Sequence, residues 1–233
     1  MKYVTFSFDD GITQDKRLID LLNQYGLKST FNLNSSLLGL KGGWEESDGK
    51  WLSHVKVFPH EVKEIYAGHE VAVHTLTHPN LTEEADETVA YQVEEDRKQL
   101  SKLVGYDVCG MAYPCGGVNN DDRVAGIIKN QTGVKYARTI TSTHSFDLPK
   151  HLHRLDPTVC VCEPEKMFEL AEKFIDLQTE EDKIFYIWGH SYEFDVRDYI
   201  KWEKFETFCK LISGKKDIVY ATNKEVLKLV GLL

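Results

Sequence analysis

A chain of 233 residues, 42% of them hydrophobic, is long enough to bury the core of one α/β domain. Its 37 acidic residues outnumber 28 basic ones, and no basic cluster offsets the net charge of −9, which argues against a nucleic-acid partner. No apolar run is long enough to span a bilayer, and the N-terminal stretch meets Asp9 and Asp10 too soon for a signal peptide, so a cytoplasmic location without a membrane partner is expected.

Lys2 to Phe8 alternates and is rich in aromatic and β-branched residues, which predicts a strand. Gln14 to Tyr25 carries a helical apolar face, closed by Gly26. Ser29 to Leu33 predicts the next strand, Gly39 to Lys56 a long irregular loop, and Pro59 to Ala67 a short helix. After a strand at Glu70 to His74, Thr82 is expected to cap a long helix reaching Leu103, with Glu83, Glu84, Asp86 and Glu87 favouring its N-terminal dipole. Strands at Cys109–Tyr113, Lys135–Arg138, Lys183–Ile187 and Asp217–Tyr220 then alternate with helices at Asp121–Lys129, Pro164–Leu177, Ile200–Ile212 and Lys224–Val230, the last capped by Thr222. Alternation along the whole chain argues for a largely parallel sheet, closed or nearly closed into a barrel. The five cysteines, an odd number, are expected to be free thiols, with Cys160 and Cys162 acting as small buried apolar side chains.

Three strings at the ends of predicted strands carry titratable groups: Ser7-Phe8-Asp9-Asp10-Gly11, His74-Thr75-Leu76-Thr77-His78 and Trp188-Gly189-His190. Strand ends converge on one face of a parallel α/β fold. Gly11 permits a sharp turn, so that one carboxylate can hold a metal while its neighbour faces a substrate. Two histidines four residues apart can share an ion if they lie on one helical turn. With Asp10 they form a set of two imidazoles and one carboxylate that leaves coordination positions open, as catalytic sites do. His190, at the same sheet end, suits proton delivery near neutral pH.

These strings, together with Ala112-Tyr113-Pro114-Cys115-Gly116, follow the order and spacing of the polysaccharide deacetylase family, the NodB-homology domain, and the chain resembles that family over nearly its whole length. The resemblance implies an irregular (β/α) barrel of about seven parallel strands, a single catalytic domain over residues 1–233, and removal of acetyl groups from amino sugars or acetylated glycans. It implies that Asp9 is the base, that Asp10, His74 and His78 are ligands of one divalent ion, and that His190 is the acid. Zinc is the expected metal, with cobalt, manganese and nickel as alternatives. Two departures stand out. The family's Arg-x-Pro-Tyr string reads Ala112-Tyr113-Pro114-Cys115, so the arginine that pairs with the base is missing, and Arg138 is expected to replace it. No Asp-x-x-Asp-Trp string is recognisable; Arg154-Leu155-Asp156-Pro157 lies in its region.

The expected substrate is an acetylated saccharide. The backbone N–H of Cys115 is expected near the developing oxyanion, with Tyr113 and Trp188 lining the acetyl pocket, and Trp44 and Trp51 available to stack on sugar rings. An O-acetyl ester, or a non-sugar amide or cyclic ureide, suits the same metal chemistry. A carbohydrate-binding relic without activity is the remaining alternative. Nothing in the sequence reports an oligomeric state.

Overall fold

The computed structural model describes residues 1–46 and 49–233; Ser47 and Asp48, within the expected long loop, lie outside the described residues. In chain order the elements are β1 (Lys2–Asp9), α1 (Asp15–Gln24), β2 (Ser29–Leu33), β3 (Gly43–Glu45), β4 (Trp51–Ser53), α2 (Val62–Ile65), β5 (Glu70–Val73), α3 (Asp86–Val104) and β6 (Gly110–Ala112). They continue with α4 (Asp122–Gln131), β7 (Tyr136–Arg138), β8 (Val159–Cys160), α5 (Pro164–Asp176), β9 (Lys183–Gly189), α6 (Glu193–Val196), α7 (Trp202–Ile212), β10 (Ile218–Tyr220) and α8 (Asn223–Leu229).

One parallel sheet runs in the order β7-β6-β5-β2-β1-β9-β8, with β10 pairing the start of β1. The segment between β7 and β9 brings the sheet round on itself. Leu155 bridges Arg138 in parallel, and a few residues later Val159 and Cys160 pair with Ile187 and Trp188. This is the irregular (β/α) barrel expected from the strand–helix alternation.

Alternation along β1 sorts its side chains between two buried environments. Phe6 and Phe8 face outward, where Phe205 of α7 meets both rings edge-on at 6.3 and 6.0 Å. Thr5, Ser7 and Asp9 take the other face and bond Asn223, Asn32 and Arg138. That inner face is polar elsewhere too: Thr30 and Tyr136 both donate to the buried Glu70 carboxylate. Buried polar groups of this kind persist only when partnered.

Register decides where the site can form. Asp9 pairs with Asn32, Phe8 with Gly189, Leu33 with Val73, and Ala112 with Arg138. The C-terminal ends of β1, β5, β6, β7 and β9 therefore share one rim.

Several local expectations are corrected. The Gly39–Lys56 stretch contains an antiparallel pair, β3 with β4, rather than a wholly irregular loop. Thr82 does not cap the long helix; it lies in a short 3₁₀ turn, Leu81–Glu83, whose cap is the Asn80 side chain, and α3 starts only at Asp86. Asn80 wins because its carboxamide accepts from Thr82 N at 3.2 Å, closing a separate turn first. Cys160 and Cys162 are joined by a disulfide, with their Cα atoms 5.0 Å apart, because β8 ends between them. Cys109, Cys115 and Cys209 are free. Thr222 does cap α8, in a capping box with Glu225. Among the described residues no helix is long and apolar enough to cross a membrane.

Candidate active site

Asp9 ends β1 with its side chain inside the barrel. Arg138, at the end of β7 and fully buried, places Nη2 2.7 Å from Asp9 Oδ1 and 2.5 Å from Oδ2. Asn32 Nδ2 adds a bond to Oδ1 at 2.8 Å. Burial works against ionising Asp9, but the Arg138 charge, with His190 beyond it, outweighs it and holds the carboxyl below its usual range. Arg138 also lies over the Trp188 ring, 4.5 Å from its centroid, and donates from Nη1 to the Thr139 carbonyl at 2.9 Å.

The next two residues turn back through positive φ, 86° at Asp10 and 61° at Gly11. A Cβ at Gly11 would lie 2.9 Å from Leu33 Cγ, so the turn needs glycine for space as well as for backbone freedom. The turn sends the Asp10 carboxylate away from Asp9. His54 Nε2 donates to Asp10 Oδ2 at 3.2 Å, and Lys56 Nζ lies 3.3 Å from Oδ1 and 2.6 Å from the Asp10 carbonyl. Burial opposes the Asp10 charge, yet the His54 bond and the Lys56 ammonium hold its carboxyl well below the ordinary range.

His74 follows β5, and His78 comes after an irregular turn rather than on a helix as their spacing suggested. Thr75 and His78 both take positive φ, 68° and 63°, and the Thr75 hydroxyl accepts from His78 N at 3.1 Å. That turn still brings the two rings within 4.9 Å. His74 Nδ1 donates to the Ala112 carbonyl at 2.9 Å, which leaves Nε2 with a free lone pair. Burial pushes its pKa down to about 4, so the ring is neutral. One ligand atom each from Asp10, His74 and His78 lie within 4.8 Å of one another. A neutral, pre-oriented imidazole, a second imidazole and an ionised carboxylate at this separation fit a divalent ion with positions left open.

His190 lies just past β9. Its Nδ1 donates to Glu193 Oε1 at 2.9 Å, and its Nε2 stands 4.0 Å from Asp9 Oδ2. Tyr199 donates to the other Glu193 oxygen at 2.9 Å. Burial would lower the His190 pKa, but the bond and charge of Glu193, with Asp10 and Asp9 behind it, raise it to about 9.

Asp9, Asp10, His74, His78 and His190 line a cavity of about 620 Å³ together with Tyr113, Cys115 and Trp188. The Tyr113 hydroxyl is committed to the His153 carbonyl at 2.7 Å, so only its ring is available there. Cys115 has φ 67°, and Asn119 ties down its loop by donating to the Cys115 and Pro114 carbonyls at 2.8 and 3.0 Å. Another wall is formed by Trp44, expected to meet a sugar ring, and by His54 and Tyr192, which the sequence reading passed over. Trp44, His54 and Tyr192 form an aromatic cluster, and Tyr192 stacks on His190 at 5.0 Å. Trp51 is outside the cavity and exposed. The one available signal was His54-Val55-Lys56-Val57, whose alternation marks an extended segment within the supposed loop.

With this geometry in view, the comparisons with known proteins agree. The family model described as polysaccharide deacetylase matches residues 1–137, more than half of the chain, and the chain belongs to that family. A peptidoglycan-N-acetylglucosamine deacetylase of Bacillus cereus is 30% identical over 106 residues, 44% of this chain and 32% of that protein. The chain thus aligns with about a third of the length of that curated relative. Among solved structures, a family 4 acetyl xylan esterase from Clostridium thermocellum, in complex with a cobalt ion, superposes with a TM-score of 0.57 at 14% identity, covering 99% of this chain and 93% of that one. A family 4 pseudoenzyme from Bacillus anthracis gives 0.55 at 17% identity, covering 97% and 66%. Likeness at this level establishes the fold and no activity.

Proposed function

We propose that residues 1–233 form one catalytic domain, a metal-dependent hydrolase that removes the acetyl group from an N-acetylated sugar. The observation that carries this reading is the juxtaposition, on one cavity, of the Asp10–His74–His78 set with Asp9, paired to Arg138, and His190, bonded to Glu193. The N-acetylglucosamine deacetylase among the relatives favours an amide over an ester.

Asp10, His74 and His78 would hold the ion, zinc by the chemistry of the donor set. A divalent ion there supplies charge to polarise the acetyl oxygen and acidity to an attacking water. Asp9 takes up the proton of that water at its carboxylate. Arg138 keeps this carboxylate ready at the expense of its basicity, which suits a proton donor already acidified. The backbone N–H of Cys115 donates to the developing oxyanion, in a loop that Asn119 keeps in place. His190 donates its Nε2 proton to the departing nitrogen, and the carboxylate of Glu193 stabilises that protonated ring from Nδ1. The Trp188 indole and the Tyr113 ring enclose the acetyl methyl group. Trp44 and Tyr192 offer aromatic faces to the sugar.

The test separates the two aspartates. Purified protein should release acetate from N-acetylated oligosaccharides, and Asp9→Asn should abolish that release while retaining bound zinc. Asp10→Asn should weaken zinc binding. Loss of metal from Asp9→Asn with retention in Asp10→Asn would reverse the roles, and acetate released only from O-acetyl esters would move the substrate class.

A further inference from the structure

Resting on the proposed metal site, we infer that Lys56 tunes that site: its buried ammonium lies against the ligand carboxylate Asp10 and weakens the hold on the divalent ion.

Lys56 is 5% exposed, and its Nζ meets three oxygens: the Asp10 carbonyl at 2.6 Å, Asp10 Oδ1 at 3.3 Å and Asn34 Oδ1 at 3.2 Å. Oδ1 is also the Asp10 oxygen that approaches His78 Nε2, at 3.7 Å. The same oxygen thus faces an ammonium on one side and an imidazole of the metal set on the other. The lysine has no easy retreat. Its segment is zipped onto the turn after Asp10 by an antiparallel bridge, Ile12 with Lys56, and by Val57 N to the Gly11 carbonyl at 3.0 Å.

Charge decides the sign. Asp9 is neutralised by Arg138 and Asp10 by Lys56, both buried cations. An arriving dication meets a pair of carboxylates already balanced, rather than two uncompensated negative charges. Repulsion between a dication and a buried ammonium sharing one carboxylate is poorly screened. Weaker donation from Asp10 also leaves more of the ion's charge for its open positions. A purely structural role for Lys56, holding the positive-φ backbone of Asp10 through its carbonyl, makes the opposite prediction, because losing that support would disorder a ligand.

The experiment is a zinc titration of metal-stripped protein against a chromophoric chelator at one fixed pH. Lys56→Met should bind zinc tighter than wild type by roughly tenfold or more, and Lys56→Arg should stay within about threefold of wild type. Lys56→Gln, which keeps a donor for the Asp10 carbonyl without the charge, should also tighten binding and serves if Lys56→Met does not fold. Neutral variants that bind zinc equally or more weakly overturn the inference. His78→Ala tells this apart from failure of the underlying site. If it abolishes zinc uptake, the metal reading stands whatever Lys56 does; if it leaves uptake intact, the metal site itself is wrong.

Discussion

Replacing Arg138 with methionine should expose how much of this fold depends on one buried pair. Asp9 and Arg138 are 2% and 0% exposed and meet at 2.7 and 2.5 Å. Asp15 and Asp96 are also buried carboxyls that rely on hydrogen bonds without an ion pair, and burial pushes both up to about 7. Without Arg138, burial should raise the Asp9 pKa above its usual value. Breaking a buried pair from one side leaves an uncompensated buried charge and costs about 3–5 kcal/mol, so a loss of about 4 kcal/mol is expected. For a domain of this size that lowers Tm by roughly 8–16 °C. The sign with pH follows. In wild type the depressed pKa of Asp9 contributes stability that is present above the unfolded value and lost as pH falls through the folded one. In Arg138→Met the raised pKa makes the deficit open as pH climbs above the unfolded carboxyl value and close again in acid. Urea denaturation of metal-stripped protein at pH 4 and pH 8 measures both. Adding Asp9→Asn to Arg138→Met removes the orphaned charge and should recover most of the loss. A deficit below about 1 kcal/mol at pH 8, or a double variant that costs as much as the two single ones summed, would refute the reasoning.

Asp15, bonded by Ser191 and Tyr66 at 2.6 and 2.7 Å, should make the protein lose stability as pH rises from its unfolded pKa to about 7, by up to roughly 4 kcal/mol. Asp15→Asn cannot ionise and should flatten that slope in a denaturation series; an unchanged slope would exonerate Asp15. Glu193→Gln should lower the His190 pKa, read from its imidazole resonance in metal-stripped protein, and should slow amide turnover much more than turnover of activated aryl acetates, whose leaving group needs no proton. Equal losses on both substrates would deny His190 the acid role. Gly189→Ala would place a Cβ 2.2 Å from Val161 Cγ2, where β8 meets β9, and should cost about 1–3 kcal/mol; a Tm equal to wild type would show that the junction yields freely.

Alternation, helical periodicity and strand-end motifs are local properties, so most of the strands and helices, the barrel class and the grouping of Asp9, Asp10, His74, His78 and His190 near one rim were readable from residues close together in the chain, whereas the short β3, β4, β8 and α6 were not. Thr222 with Glu225 belongs to the same class, since a capping box spans only four positions. Other features depend on partners far apart in sequence. Arg138 was nominated from its place at a strand end, but its contact with Asp9 spans 129 residues and depends on the register of β6 on β7 and the curl of the sheet. His54 and Lys56 look like loop residues until their segment pairs with the turn after Asp10. Glu193 lies just three positions from His190, yet nothing local marks it as the imidazole's partner until a short helix and Tyr199 fix its carboxylate. His74 and His78 meet through a turn with two positive-φ residues rather than through a helix, because their backbone is held by neighbouring strands and by Asp96. Local sequence selects elements by patterns within a turn or a strand; which charges end up buried against each other is decided by long-range packing, whose free energy no short window contains.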